Sequence, residues 1–364
     1  MDEKVKFPSL NAAVLSYGEI QELAVARDNE LFQIENSTLS KRQNVLISGS
    51  RGMGKTFLIY YSYHQLIAHA DDTYLSILNI AGLAQYSPLD SASAFTRAVL
   101  LQLCREVWTK VKKRPYSELR ETLKDGPHDI VLRDGPSKVV ARIYRYLMQI
   151  ERSQQIERAS SLGFSAGAKG DKKARSLTTA KQSDILPFEF FEFLNEIKAE
   201  VLEPMGKKKF VFLVDEGNYL PAYDQSEILH RYLDVFTANN VQFVFSISED
   251  VEPDASEFVL GFDNKIRLAG LQVEHTKELL EKYKIHSSMI LPDELPELLY
   301  AEFSGHPRAT IAASSRAQEA SHSEGSFNVS MTHALNAIRE VRLMLDDERQ
   351  MLARSRSNAL QSKR

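Results

Sequence analysis

Apolar residues in this chain come first in short strand-length runs and later as helical stripes. The runs are Asn44–Ser48, Thr73–Ile80, Phe210–Val214 and Val241–Ser248. Runs of this length, rich in β-branched and aromatic residues, predict strands, and Phe210–Val214, apolar throughout, predicts a buried central one. Asn264–Leu268 predicts a short last strand of the same sheet. Helical patterns separate them, over Thr56–Ala70, residues 91–113, Ser137 to about Arg158, Phe188–Leu202 and residues 224–238. In the second of these, Phe95, Val99, Leu103 and Val107 recur at helical spacing. Strands alternating with helices predict an α/β fold with a parallel sheet. From residue 270 onward only helices are expected, over Val273–Tyr283, Pro292–Phe303, Pro307–Ala320 and Ser330–Leu352. The last carries Leu335, Ile338, Val341, Leu345 and Leu352 on one face. The lead-in, residues 1–43, holds one further helical pattern over Glu19–Leu31. The expected plan is therefore a lead-in (1–43), an α/β core (44–269), an all-helical lid (270–348) and a basic tail (349–364).

Between the first strand and its helix stands Gly49-Ser50-Arg51-Gly52-Met53-Gly54-Lys55-Thr56, which fits the phosphate-loop pattern G-x-x-x-x-G-K-[ST] without deviation. Glycines let the backbone wrap an anion closely, and successive N–H groups form a concavity at a helix N-terminus. Lys55 is placed to reach phosphate oxygens, and the Thr56 hydroxyl to ligate Mg²⁺. The Phe210–Val214 run ends in Asp215 and Glu216. These acids emerge where ligands sit in open α/β sheets. Asp215 is the candidate partner of Mg²⁺, and Glu216 the candidate that polarises an attacking water. The strand Val241–Ser248 offers Ser248 as a γ-phosphate sensor, with Ser246 as the alternative. Between two lid helices, Ser304-Gly305-His306-Pro307-Arg308 combines a C-cap glycine with a first-turn proline. It puts Arg308 at a helix start, where the dipole disfavours a cation. That placement predicts that Arg308 reaches across to the nucleotide phosphates.

Charge changes the picture locally. The whole chain of 364 residues is balanced, with 45 Lys and Arg against 49 Asp and Glu. Residues 105–181, however, hold 18 Lys or Arg and 9 Asp or Glu, an excess of nine positive charges. This basic insertion, at about 105–185, predicts either a solvated surface or one that meets phosphate backbones or an acidic partner. Within it, Gly163–Lys173 reads as a hairpin tip or loop, and two Asp-Gly-Pro steps, at Asp125 and Asp134, read as turns. The single cysteine, Cys104, and the scattered histidines suggest no metal site beyond Mg²⁺. There is no membrane-spanning apolar run and no apolar leader at the start, so a cytoplasmic protein without membrane contact is expected.

The loop, the acid pair, the Ser246–Ser248 strand end and the Gly-His-Pro-Arg step together resemble the AAA+ and STAND branch of P-loop ATPases. The resemblance covers roughly residues 20–350. It implies a five-stranded parallel sheet with the loop-bearing and acid-bearing strands adjacent. It also implies ATP as nucleotide, homo-oligomers and sites shared between subunits. By position, Gly49 to Thr56 bind the nucleotide and Thr56 and Asp215 hold Mg²⁺. Glu216 is the base, Ser248 the first sensor and Arg308 the second. An arginine finger is not evident, with Arg267 or Arg231 the available residues. Acting on DNA through the basic insertion is one implied function. An ATP-gated switch working through a protein effector is the other.

Overall fold

The computed structural model describes residues 16–69, 71–80, 92–118, 134–161, 187–215, 240–249, 262–284 and 287–362. Glu216, Arg231, the helix expected at 224–238, the Asp125 turn and the Gly163–Lys173 stretch lie outside the described residues.

The chain runs α1 (Tyr17–Leu23), α2 (Asp28–Glu35), β1 (Val45–Gly49), α3 (Lys55–His69), β2 (Thr73–Asn79), α4 (Ala92–Glu106), α5 (Gly135–Ser161), α6 (Pro187–Ile197), β3 (Lys209–Asp215), β4 (Val241–Ser248) and β5 (Asn264–Arg267). Four helices follow, α7 (Val273–Lys282), α8 (Leu295–Phe303), α9 (Pro307–Ser323) and α10 (Met331–Ser362). The five strands form one parallel sheet in the order β2-β3-β4-β1-β5. The expected adjacency of the loop-bearing and acid-bearing strands is thus wrong. β4 lies between β1 and β3 and pairs with both. Strand neighbours are non-local, and each of these runs is buried on both faces, so no local pattern distinguishes the two orders.

Alternate side chains sort the two faces of the sheet. Tyr74, Phe210, Phe212, Phe243 and Phe245 face one side and pack with α4, α5 and α6 in the largest apolar cluster. There Phe210 stacks on Phe212 at 5.8 Å, and Phe212 on Phe243 at 5.3 Å between ring centroids. Branched aliphatics (Val45, Ile47, Leu75, Val211, Leu213, Val244) face the other side, against α2 and α3. Phe95, Val99, Leu103 and Val107 are all fully buried, as their spacing predicts. A carboxylate is buried beside them. Glu106 accepts hydrogen bonds from Tyr74 Oη (2.9 Å), Ser76 Oγ (3.1 Å) and Gln102 Nε2 (2.9 Å), so the carboxylate is satisfied. Burial, reinforced by Glu106, holds the Tyr74 phenol far above its usual range and keeps it a donor.

Three local expectations need correction. The lead-in helix is two helices with a break at residues 24–27, where Ala26 adopts φ 50°. The Asp134 step starts α5: the Asp134 side chain accepts from Ser137 N at 3.0 Å, as a capping residue does. In α10, Leu335 is 53% exposed, while Ala334, Ala337, Ile338 and Val341 are buried. Small alanines take the inner stripe and push Leu335 to its edge. The same helix continues unbroken to Ser362.

Candidate nucleotide site

The site lies at the C-terminal ends of β1, β3 and β4. β1 delivers the chain into the loop at Gly49, and α3 begins at Lys55. The Lys55 ammonium donates to the carbonyls of Gly49 (2.7 Å) and Ser50 (2.8 Å), which holds it over the loop. Asp215, 1% exposed at the end of β3, is the meeting point. Its Oδ1 accepts from Thr56 Oγ1 at 3.1 Å and from Ser246 Oγ at 2.8 Å. Two hydroxyls and a carboxylate beside a helix N-terminus form the hard-oxygen donor set that suits Mg²⁺. Ser246 and Ser248 share one face of β4, two residues apart. Ser246 touches Asp215, whereas Ser248 lies level with Gly49 on the neighbouring strand. Glu249 follows directly, taking Ser48 Oγ (3.3 Å) and a two-pronged contact from Arg267 (Nε 2.7 Å, Nη2 3.2 Å).

The opposite side of the loop is held from outside. Three successive carbonyls, those of Arg51, Gly52 and Met53, each accept a hydrogen bond from a distant segment. Arg51 O is bonded by His306 Nε2 at 2.7 Å. Gly52 O accepts from Arg308 N at 3.3 Å, and Met53 O from Arg27 Nη2 at 3.2 Å. Arg27, only 8% exposed, also donates to Ala269 O (3.2 Å) and pairs with Glu30 (2.9 Å). It ties lead-in, loop and the entry to the helical part together. Gly52 has φ +88°, and a side chain there would run into the His306 ring and Arg308. The expected turn at Gly305 (φ +71°) is present, and Leu271 N donates to Gly305 O at 2.8 Å. The Arg308 guanidinium lines the cleft but donates to Glu348 on α10 at 3.1 Å.

Next to the loop is a cleft with a cavity volume of about 200 Å³. Leu23 and Val25 of the lead-in, Phe57 of α3, and Leu279, Tyr283 and Ile311 of the helical part line it. Burial pushes the Tyr283 phenol up to about 12, so the wall stays uncharged. An apolar slot beside an anion-binding loop suits a flat base joined to phosphates. The break between α1 and α2 brings Val25 and Arg27 to this slot. Neither residue stands out in the linear sequence. One signal was available, since Gly52 occupies a position where the loop pattern requires no glycine.

No family model and no curated protein matches the chain. Solved structures do. The Walker-type ATPase of Pyrococcus abyssi superposes with a TM-score of 0.52 at 14% identity, over 92% of this chain and 77% of that one. The ORC1 protein of Aeropyrum pernix, solved in complex with DNA, gives 0.47 at 14% identity over 91% and 68%. Domain III of the replication initiation protein DnaA of Thermotoga maritima gives 0.45 at 12% identity over 90% and 98%.

Proposed function

We propose, from the premise that this chain has the P-loop ATPase fold of the AAA+ type, that it binds ATP with Mg²⁺ and hydrolyses it. The observation that carries this reading is the convergence of Thr56 and Ser246 on Asp215 at the mouth of a complete phosphate loop. Gly49, Ser50, Arg51, Gly52, Met53 and Gly54 would supply backbone donors to the phosphates, with Lys55 adding charge. Thr56 and Asp215 would hold Mg²⁺, which supplies Lewis-acid stabilisation of charge on the phosphates when bound. Glu216, next in the chain, is assigned the water-polarising role, with Ser248 sensing the γ-phosphate. Arg308 would exchange Glu348 for phosphate oxygen. The slot between lead-in and helical part supports adenine as the base. The test is ATP binding and turnover with Mg²⁺. Lys55→Ala is expected to abolish them, and Glu216→Gln to bind ATP without releasing it as product. Turnover by Glu216→Gln at the parent rate would remove Glu216 from its role.

We further propose that the protein forms homo-oligomers and acts on DNA through its basic stretch. Exposed Arg105, Lys110 and Lys113 support this within the described residues. Filter binding of duplex DNA at low salt, with and without ATP, tests it; no ATP-dependent retention sinks it. The seating of the Gly-His-Pro-Arg step on the loop favours a second reading, an ATP-gated switch acting through a protein effector. DNA-stimulated turnover, with no protein co-purifying with Glu216→Gln, decides against that reading.

A further inference from the structure

We propose that His306 is a positioning residue of the nucleotide site, whose imidazole sets the shape of the phosphate loop and couples it to the seat of the helical part. The inference rests on the reading of the loop as an ATP site. Its evidence is the use made of both ring nitrogens. Nδ1 accepts from Ala309 N at 3.2 Å, capping α9. Nε2 lies 2.7 Å from the Arg51 carbonyl, which can only accept. The two partners together require the neutral tautomer with the proton on Nε2. The ring edge lies against Gly52, where there is no room for a Cβ.

A planar trans peptide points its C=O and the following N–H in opposite directions. Fixing the Arg51 carbonyl toward the imidazole therefore fixes the direction of the Gly52 N–H, one of the donors the loop offers to phosphate. Arg27, bound to Met53 O, acts in the same way on the Gly54 N–H. Position 306 is thus read twice, once by the helix it caps and once by the loop it braces.

Two substitutions separate these roles. Asn at 306 keeps a helix-capping acceptor but lacks the distal N–H. Gln carries an amide N–H near the position of Nε2 but is a poor cap. His306→Asn is expected to weaken ATP binding about tenfold, the loss falling on KM more than on kcat, with an unchanged melting temperature. His306→Gln is expected to restore most of the affinity while lowering the melting temperature. Affinity then follows the distal donor and stability follows the cap. Parental affinity in His306→Asn, or Gln binding as weakly as Asn, overturns the proposal. Amide hydrogen exchange without nucleotide separates its failure from that of the ATP reading. Faster exchange across residues 49–54 in His306→Asn is expected even if the parent binds no ATP. Unchanged exchange there counts against the coupling.

Discussion

The phosphate loop has two sides, built by different means. On the inner side Lys55 bonds the loop carbonyls, and Thr56 meets Asp215 and Ser246 from a neighbouring part of the sheet. On the outer side the carbonyls of Arg51, Gly52 and Met53 are held by His306, Arg308 and Arg27. The inner residues sit in a contiguous motif and at strand ends. Those on the outer side come from the lead-in and the helical part, hundreds of positions apart. The proposed hydrolysis puts reactivity on the inner side and loop shape on the outer side, so inner substitutions should act on turnover, and outer ones on nucleotide affinity or on stability.

The sharpest test of that division is Asp215→Asn. It keeps an acceptor for Thr56 and Ser246 while removing a buried charge. Mg²⁺-dependent turnover should fall at least about a hundredfold with no loss of melting temperature, read by steady-state ATPase and calorimetry. A parallel drop in stability would mean that Asp215 is also structural. Arg27→Ala is the outer counterpart. It leaves Glu30 and two carbonyls without their partner, and should lower unfolding free energy by about 2–3 kcal/mol in a denaturant titration. If Arg27→Ala leaves stability and nucleotide affinity intact but removes turnover, the division between the two sides fails. Gly52→Ala strains a left-handed position and collides with His306; fluorescent-nucleotide titration should show affinity reduced about tenfold. The smallest effect is expected from Ser246→Ala. Losing one hydrogen bond to Asp215 should slow turnover about three- to fivefold at saturating ATP.

The same two sides explain what the sequence could reveal. Val241–Ser248 reads as a strand with its observed bounds because Val, Phe and Ile dominate it over a strand's length, and the structure buries its polar Gln242 and Ser246 with them. Gly49–Thr56 is legible because phosphate chemistry dictates residue types at fixed spacing. Strand order was not legible: nothing within Val45–Gly49 or Lys209–Asp215 records that β4 enters between them. Arg27 and His306 were equally silent as loop contacts, because a backbone carbonyl accepts from any donor and imposes no residue type on itself. Leu335 misled because helical spacing names a stripe without saying where its edge falls. Arg308 does line the cleft beside the loop, but Glu348, forty positions away, holds its guanidinium.

The length of α10 has a mechanical consequence. Its 32 residues span about 48 Å, of which about 25 Å lie beyond Leu345, the last of its residues described in the apolar core of the helical part. Glu348, the residue that grips Arg308, stands near the start of that stretch. A turn of about 10° at Glu348 would carry the far end, beyond Arg354 and Arg356, through about 4 Å. A displacement too small to notice at the cleft becomes, at Ser362, about the width of a side chain.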